Sequence, residues 1–399
     1  MFTIKSLFMP LLLSLFIYLE YFGLSLKLIN TIIALSAFLL IFQLNKKELF
    51  LSGFIIGILW FWWLGYSFLY YELDFMIPIV IIAIGLLYGV LFYLIALFNN
   101  IYYKVSYIFL LSYIEPFSFN WFKIELPFIN SYLGTSKFEF LTILIISALF
   151  IEYRYKYKKI IPISYAIVII VLFFINKYNI SQSEIKYPPL KIYKYQTNVP
   201  QEQKWDRNYK KEIIKDNLNA IELAIKNNND LIILPETAFP LILNHQTILL
   251  NKLLEYSKKI SIVTGSLYEK DTLLYNSSYL FQNDTLQIAN KVVLVPFGEA
   301  VPMPEKIKNW INDTFYDGAK DYITASKPTT FTIKNIKFRN AICYEATTNK
   351  IYTNMDTQYA IAISNNGWFT PSIQPTLQQL LMKYYENKYN IMILDVSNQ

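Results

Sequence analysis

Apolar and polar positions follow two regimes that meet near residue 178. Before that point apolar runs are long and charges sit in short clusters. Hydrophobic segments fall at 7–23, 25–43, 50–71, 76–98, 105–122, 137–153 and 160–176. A helix needs roughly 20 apolar residues to cross a bilayer, and the 50–71 and 76–98 runs meet that length most clearly. The 105–122 run is the weakest, because it contains Glu115 and Pro116. The first run has a long apolar core, lacks a small-residue cleavage site and is followed by further spans. It therefore reads as a retained helix and not as a signal peptide.

Beyond residue 178 short β-rich runs alternate with amphipathic stretches. The pattern predicts strands at 190–198, 230–234, 260–264, 274–281, 286–294, 329–333, 336–342, 358–363 and 391–396, and helices at 208–228, 246–258, 304–312 and 374–389. Runs such as 231–234 and 361–363 read as strands buried on both faces. Strands alternating with helices predict a layered α/β domain. Lys177 to Pro189 is polar and holds prolines, as a linker would. The expected organisation is a polytopic α-helical membrane region of about seven helices over 1–177, a linker over 178–189 and an α/β domain over 190–399.

Composition sharpens this picture. Of 399 residues, 54% are apolar and 16% charged, whereas a soluble domain has about 25% charged residues. The net charge of +7 comes with no continuous basic face interleaved with aromatics, so nucleic acid is not an expected partner. The single Cys343 excludes an intramolecular disulfide and any multi-cysteine metal site, and the single His245 excludes a histidine-rich one. No metal and no cofactor are expected. His245 follows Pro240 in a polar stretch and reads as a surface residue. With a cytoplasmic N-terminus and seven spans, Lys5, Lys46, Lys47, Lys104, Arg154, Lys156, Lys158 and Lys159 lie inside. Lys27, Lys123 and Lys137, with Glu72 and Asp74, lie outside. That asymmetry fits the positive-inside rule and puts everything after residue 177 outside the cytoplasm. Loss of the 105–122 span would reverse the domain.

Three strand ends carry reactive residues. Glu236 directly follows the run 231–234 and lies between Pro235 and Pro240. A partly desolvated carboxylate there could act as a general base, although most strand-end acids simply face water. Lys291 opens an apolar run that ends in a turn at Glu299. It could stabilise an oxyanion or be an edge-strand lysine that discourages aggregation. Cys343 lies where the run 336–342 leads into a helix start, whose N–H groups favour a thiolate and can bind an oxyanion. A small buried hydrophobe is the commoner fate of a free cysteine.

Taken in chain order, Glu236, Lys291 and Cys343 resemble the nitrilase superfamily, whose members use a Glu-Lys-Cys triad on an α-β-β-α sandwich. The motifs Pro235-Glu236-Thr237-Ala238-Phe239-Pro240, Val295-Pro296-Phe297-Gly298-Glu299 with Val301-Pro302, Cys343-Tyr344-Glu345 and Ser364-Asn365-Asn366-Gly367-Trp368-Phe369 resemble the apolipoprotein N-acyltransferase family. Gln196 to Pro200 with Lys204-Trp205 is similar to that family's start of the soluble domain. The resemblance covers the whole chain. It implies transfer of a fatty acyl chain from a membrane phospholipid to the N-terminal amine of a diacylglyceryl-cysteine on an apolipoprotein, by a two-step, ping-pong route. It further implies a monomer in the bacterial inner membrane, with the catalytic domain on the periplasmic side and open to the bilayer. On this mapping Cys343 forms the thioester, Glu236 moves the protons and Lys291 stabilises the oxyanion, helped by backbone N–H groups near Tyr344. Glu299 and Glu345 support them, and Trp205 and Trp368 contribute to the acyl or substrate surface.

The resemblance also implies a further strand pair and a last membrane helix beyond Gln399, and an arginine-rich pattern where 374–389 offers Lys383, Glu386 and Lys388. Two other readings compete. A membrane-anchored nitrilase-type amidase would use the same triad with water as acceptor, though a simple anchor needs only one helix. A non-catalytic transporter or receptor-like scaffold would carry ionisable residues within its spans, and here Glu20 and Glu115 are the main ones.

Overall fold

A computed structural model describes residues 3–157, 185–315 and 321–399. The chain divides into two compact units. The first lies within Met1–Pro116, Asn120–Glu184 and Pro371–Tyr384, and the second within Phe117–Phe119, Ile185–Thr370 and Tyr385–Gln399.

The first unit is helical. Its N-terminal helices are α1 (Lys5–Tyr21), α2 (Lys27–Ile41), α3 (Lys46–Phe61, continued as a 3-10 segment Trp62–Tyr71), α4 (Met76–Ile95), α5 (Ile101–Leu111) and α6 (Lys137–Tyr157). Lys46–Tyr70 and Met76–Ile95 are long and apolar enough to cross a membrane. Asn45 and Glu48 form a capping box that starts α3. Gly53 and Gly57 on α3 face α4, which carries Gly85 and Gly89. A Cβ at Gly53 would come within 2.4 Å of the Tyr88 carbonyl oxygen, so the small residues set how closely the two backbones pack. Outward positions such as Leu7, Leu11, Ile32, Ile79, Ile82 and Val90 are exposed and apolar, a surface suited to lipid and not to water.

The 105–122 run is not one helix. The helix covers Ile101–Leu111, eleven residues, which rise only about 16 Å. Pro116 has no N–H to continue the ladder and bars Glu115 from helical geometry. Phe117 and Ser118 then adopt left-handed conformations, with φ of 53° and 61°. Glu115 pairs with Lys123 at 2.8 Å, and Glu20 accepts a hydrogen bond from Asn130 at 2.7 Å. The 160–176 run and most of the expected linker lie outside the described residues.

The second unit is built on two sheets. Its strands are β1 (Ile192–Lys194), β2 (Leu231–Ile233), β3 (Phe239–Ile242), β4 (Ser261–Lys270), β5 (Leu273–Gln282), β6 (Thr285–Asn290), β7 (Thr330–Ile333), β8 (Ile336–Ile342), β9 (Tyr359–Asn365) and β10 (Met392–Asn398). Among the described residues the order is β1-β2-β4-β5-β6, with β3 also on β4, and β10-β9-β8-β7 in the second sheet. The helices are α7 (Gln201–Lys204), α8 (Arg207–Lys226), α9 (Thr247–Ser257), α10 (Glu305–Phe315), α11 (Asn349–Tyr352) and α12 (Gln374–Tyr389), the last running across the unit boundary.

The alternation of side chains along a strand produces the layers. Leu231, Ile233, Val263 and Leu280 point into a core shared with Phe338, Ile342, Ile361, Ile363, Leu394 and Val396 of the other sheet. Ile232, Ile262, Tyr279 and Phe281 point the other way, onto Ala220, Ile221 and Ala224 of α8 and Leu253 of α9. Outside the second sheet, Tyr352 of α11 lies 5.7 Å from Tyr385 of α12. The result is an α-β-β-α sandwich, as the family resemblance implies. Two sequence expectations need correction. Pro240 hides a short strand, because β3 pairs with β4 only across a register shift, where a proline is tolerated. The strand expected over 286–294 ends at Asn290, so Lys291 leaves the ladder.

Candidate active site

The chain leaves β2 through Leu234 and Pro235 and turns sharply at Glu236. Thr237 takes a positive φ of 48°. The N–H groups of Ala238 and Gly265 both donate to the Pro235 carbonyl, at 3.2 Å, and the Asn217 side chain from α8 donates to the Ala238 carbonyl at 2.6 Å. Gly265 on β4 passes so close that a Cβ there would sit 2.6 Å from Glu236 Cα. This turn aims the Glu236 side chain inward, where the residue is only 6% exposed.

Lys291 has no exposed surface. Its backbone N–H donates to the Asn276 carbonyl at 2.9 Å. Its Nζ lies 2.8 Å from Glu299 Oε2 and 3.7 Å from Glu236 Oε1. It is therefore not an edge-strand lysine. Burial alone would lower its pKa, but the charges of Glu299 and Glu236 outweigh burial and hold it protonated well above the ordinary lysine range. Asn276 Nδ2 donates to Glu236 Oε1 at 2.7 Å and to Glu299 Oε1 at 2.8 Å, clamping the two acids together. Glu299 also accepts from the Val295 N–H at 2.9 Å, which folds the 295–300 turn under Lys291.

Cys343 directly follows β8 with a φ of 54°, a conformation that costs a non-glycine residue roughly 1–2 kcal/mol. A 3-10 turn, Cys343–Thr347, follows, not an α-helix. Glu345, wholly buried, locks this elbow to the lysine segment. One of its oxygens accepts from Ile342 N–H at 2.9 Å, and the other from the N–H groups of Val292 and Val293 at 2.8 and 3.1 Å. Burial pushes its carboxyl up to about 7, against the pull of Lys291 and those three N–H groups. The partly buried Cys343 thiol is pushed up by burial first and by the Glu236 charge next. Lys291 and a backbone hydrogen bond from Asn365 oppose that rise.

Glu236, Lys291, Glu299 and Cys343 thus share one electrostatic cluster. Tyr344 is buried, stacks on Phe119 at 6.0 Å and donates its hydroxyl proton to the Ser118 carbonyl at 2.9 Å. Trp205 is 39% exposed and follows α7, and half-buried Trp368 closes the 3-10 turn Asn366–Trp368 after β9. His245 is exposed. Among the described residues no group of three or more His, Cys, Asp or Glu could hold a metal.

Sequence reasoning missed Asn276 and Lys204. A polar run, Asn276-Ser277-Ser278, at buried positions of a strand was a usable signal for the first. Lys204, named from the sequence only within the Lys204-Trp205 pair at the start of the domain, is 2% exposed.

Residues 198–390 match the carbon-nitrogen hydrolase model, and residues 1–175 match the apolipoprotein N-acyltransferase integral membrane domain. A two-sheet hydrolase-type domain joined to a helical membrane region makes this a membrane-bound carbon-nitrogen hydrolase-fold enzyme. An apolipoprotein N-acyltransferase of Wolinella succinogenes is 39% identical over 99% of this chain and 93% of its own length, and one of Helicobacter pylori is 34% identical over 93% and 86%. A solved carbon-nitrogen hydrolase superfamily protein from Xanthomonas campestris aligns with 52% of this chain and 76% of its own, at 14% identity and a TM-score of 0.41. The chain belongs to the apolipoprotein N-acyltransferase family, a family of bacterial membrane acyltransferases.

Proposed function

We propose that this enzyme moves a fatty acyl chain from a membrane phospholipid to the N-terminal amine of a diacylglyceryl-cysteine on an apolipoprotein, through a thioester on Cys343. The observation that carries the reading is a lysine with no exposed surface, held between two carboxylates in the electrostatic cluster of the chain's only thiol.

In the first half-reaction the Glu236 carboxylate takes the Cys343 proton as Sγ attacks the ester carbonyl. The C=O electrons move onto oxygen, where the Lys291 ammonium and backbone N–H groups near Tyr344 stabilise the charge. Collapse breaks the ester C–O bond. The departing lysophospholipid alkoxide takes the proton from Glu236, leaving the thioester. In the second half-reaction a neutral amine attacks the thioester and gives a proton to Glu236. The C–S bond breaks, and the thiolate recovers that proton. A thiolate suits both steps because it is a strong nucleophile and a fair leaving group.

Glu299 holds Lys291 in place, and Glu345 ties the Cys343 elbow to residues 292 and 293. Trp205 and Trp368 border the substrate surface. Each chain carries all the reacting groups, so one copy suffices. The charge asymmetry supports an inner-membrane protein with a periplasmic catalytic domain, an orientation that requires the chain to cross the bilayer after Asn100 although its helix there covers only Ile101–Leu111.

An impermeant diacylglyceryl-cysteine peptide, offered from outside to right-side-out and to inverted vesicles, tests substrate and orientation together. N-acylated peptide should form with the right-side-out vesicles. Product only with inverted vesicles contradicts the orientation, and product with neither contradicts the reaction.

A further inference from the structure

The reaction scheme leaves one fully buried cation unused. Lys204 closes the one-turn helix α7 and donates from Nζ to the backbone carbonyl of Glu236 at 3.0 Å. The placement is fixed by a relay of amides. Gln201, one turn earlier, accepts from Asn365 at 2.9 Å, and Asn365 accepts from Asn398 at 2.9 Å. Asn398 in turn grips the Val199 backbone through both its N–H and its carbonyl. The same Asn365 gives its backbone hydrogen bond to the Cys343 thiol. Lys204 is thus tied to the elements that carry both Glu236 and Cys343.

The two buried lysines differ in kind. Lys291 sits between two carboxylates, whereas the hydrogen bond drawn to Lys204 is to a neutral carbonyl. An ammonium has three donors, and a lone carbonyl compensates little of its lost hydration. Burial accordingly lowers the Lys204 pKa to about 7, opposed by the negative charge of Glu236 and of Cys343. Those two groups, on the turns after β2 and β8, are the charged partners that act on it.

We propose that Lys204 is a positioning residue for acyl transfer, whose ammonium fixes the Glu236 turn and keeps one negative charge on the Glu236–Cys343 pair. This rests on the reading of Cys343 as nucleophile and Glu236 as its base. Proton transfer between thiol and carboxylate moves a negative charge from one to the other. A cation that attracts both stabilises the charge wherever it sits. Without that cation Lys291 is left to oppose burial at Cys343, and the thiol is held more firmly in its protonated form, which attacks slowly.

Cys343 is the only cysteine, so its alkylation by iodoacetamide in the full-length protein reports the thiolate with no lipid substrate present. The wild-type rate should rise with pH and bend near pH 7, where Lys204 loses its proton. Lys204→Met should react about tenfold or more slowly below that pH, the equivalent of one pKa unit, and its rise should show no bend when both proteins carry Glu345→Gln, which removes the other carboxyl near the elbow that titrates at about 7. Lys204→Arg, which stays charged, should restore the rate and also lack the bend. A Lys204→Met profile that is only the wild-type curve scaled down, or that matches it, overturns the proposal. If Lys204→Met does not fold, as judged by thermal unfolding, the wild-type curve decides, and an unbent rise overturns it. Wild-type protein that shows the bend but takes no acyl group from phospholipid contradicts the donor reading and leaves the role of Lys204 standing.

Discussion

A lysine without exposed surface must find partners for its charge inside the protein, and Lys291 finds Glu299 at 2.8 Å and Glu236 at 3.7 Å. Lys291→Met removes the cation and leaves two buried carboxylates clamped by Asn276. Loss of one positioned oxyanion donor slows such reactions by about 10²–10³-fold, and stranding one side of a buried ion pair costs about 3–5 kcal/mol. Single-turnover acylation of Cys343 should therefore fall at least about a hundredfold, and a rate near wild type would contradict the assignment. Glu345 gives a pH dependence. Its carboxyl lies at about 7 in the fold against an ordinary 4.5, raised by burial. The fold thus holds a proton that the unfolded chain releases. This contribution is fully present below about pH 4.5 and is lost as pH rises through about 7. Asp395, also pushed up to about 7 by burial, acts in the same direction. Thermal unfolding should show stability falling over that window, with a shallower fall in Glu345→Gln. An equal fall in the variant would contradict this. The three proposed reacting residues were legible because each follows an apolar run or opens one. Lys204 was not, since its burial comes from segments distant in sequence, and Asn276 was signalled only by the polar run Asn276-Ser277-Ser278 inside an apolar strand.

The turn after β2 shows how elements impose the geometry. Glu236 cannot move toward β4 or away from it, because Gly265 fills the space on one side and Asn217 ties the turn on the other. Gly265→Ala places a methyl group where backbone atoms already lie at 2.6 Å. Glu236 must shift, and a misplacement of about 1 Å costs about a hundredfold in rate. The expected result is a loss of acylation larger than the loss of folded protein. Equal losses would show that Gly265 serves the fold alone. At this scale most strands and helices were readable from period-two and amphipathic patterns. Element ends were harder. The strand ladder stops at Asn290, before the apolar run does, because Lys291 turns into a buried cluster that no local pattern reveals. The helix expected over 105–122 stops at Leu111, as the Glu115 and Pro116 that made it the weakest run in the sequence foreshadow. The β3 strand hides behind Pro240, which is tolerated at its register shift.

The molecule as a whole joins a helical membrane region to a two-sheet domain. An acyl donor and a lipidated acceptor are both confined to a bilayer. A carbon-nitrogen hydrolase domain joined to a membrane region in one chain can meet both. Composition alone separated the two halves, while the chemistry needed the combination of Glu236, Lys291 and Cys343. The most direct test is to trap the intermediate. The full-length protein is reconstituted in vesicles with a phospholipid labelled in its acyl chain, and no acceptor is added. Label should join the protein, be released by neutral hydroxylamine as a thioester is, and fail to join Cys343→Ser as a hydroxylamine-labile adduct. Folded wild-type protein that takes up no label, beside an active relative that does, would contradict the central claim that Cys343 carries the acyl chain.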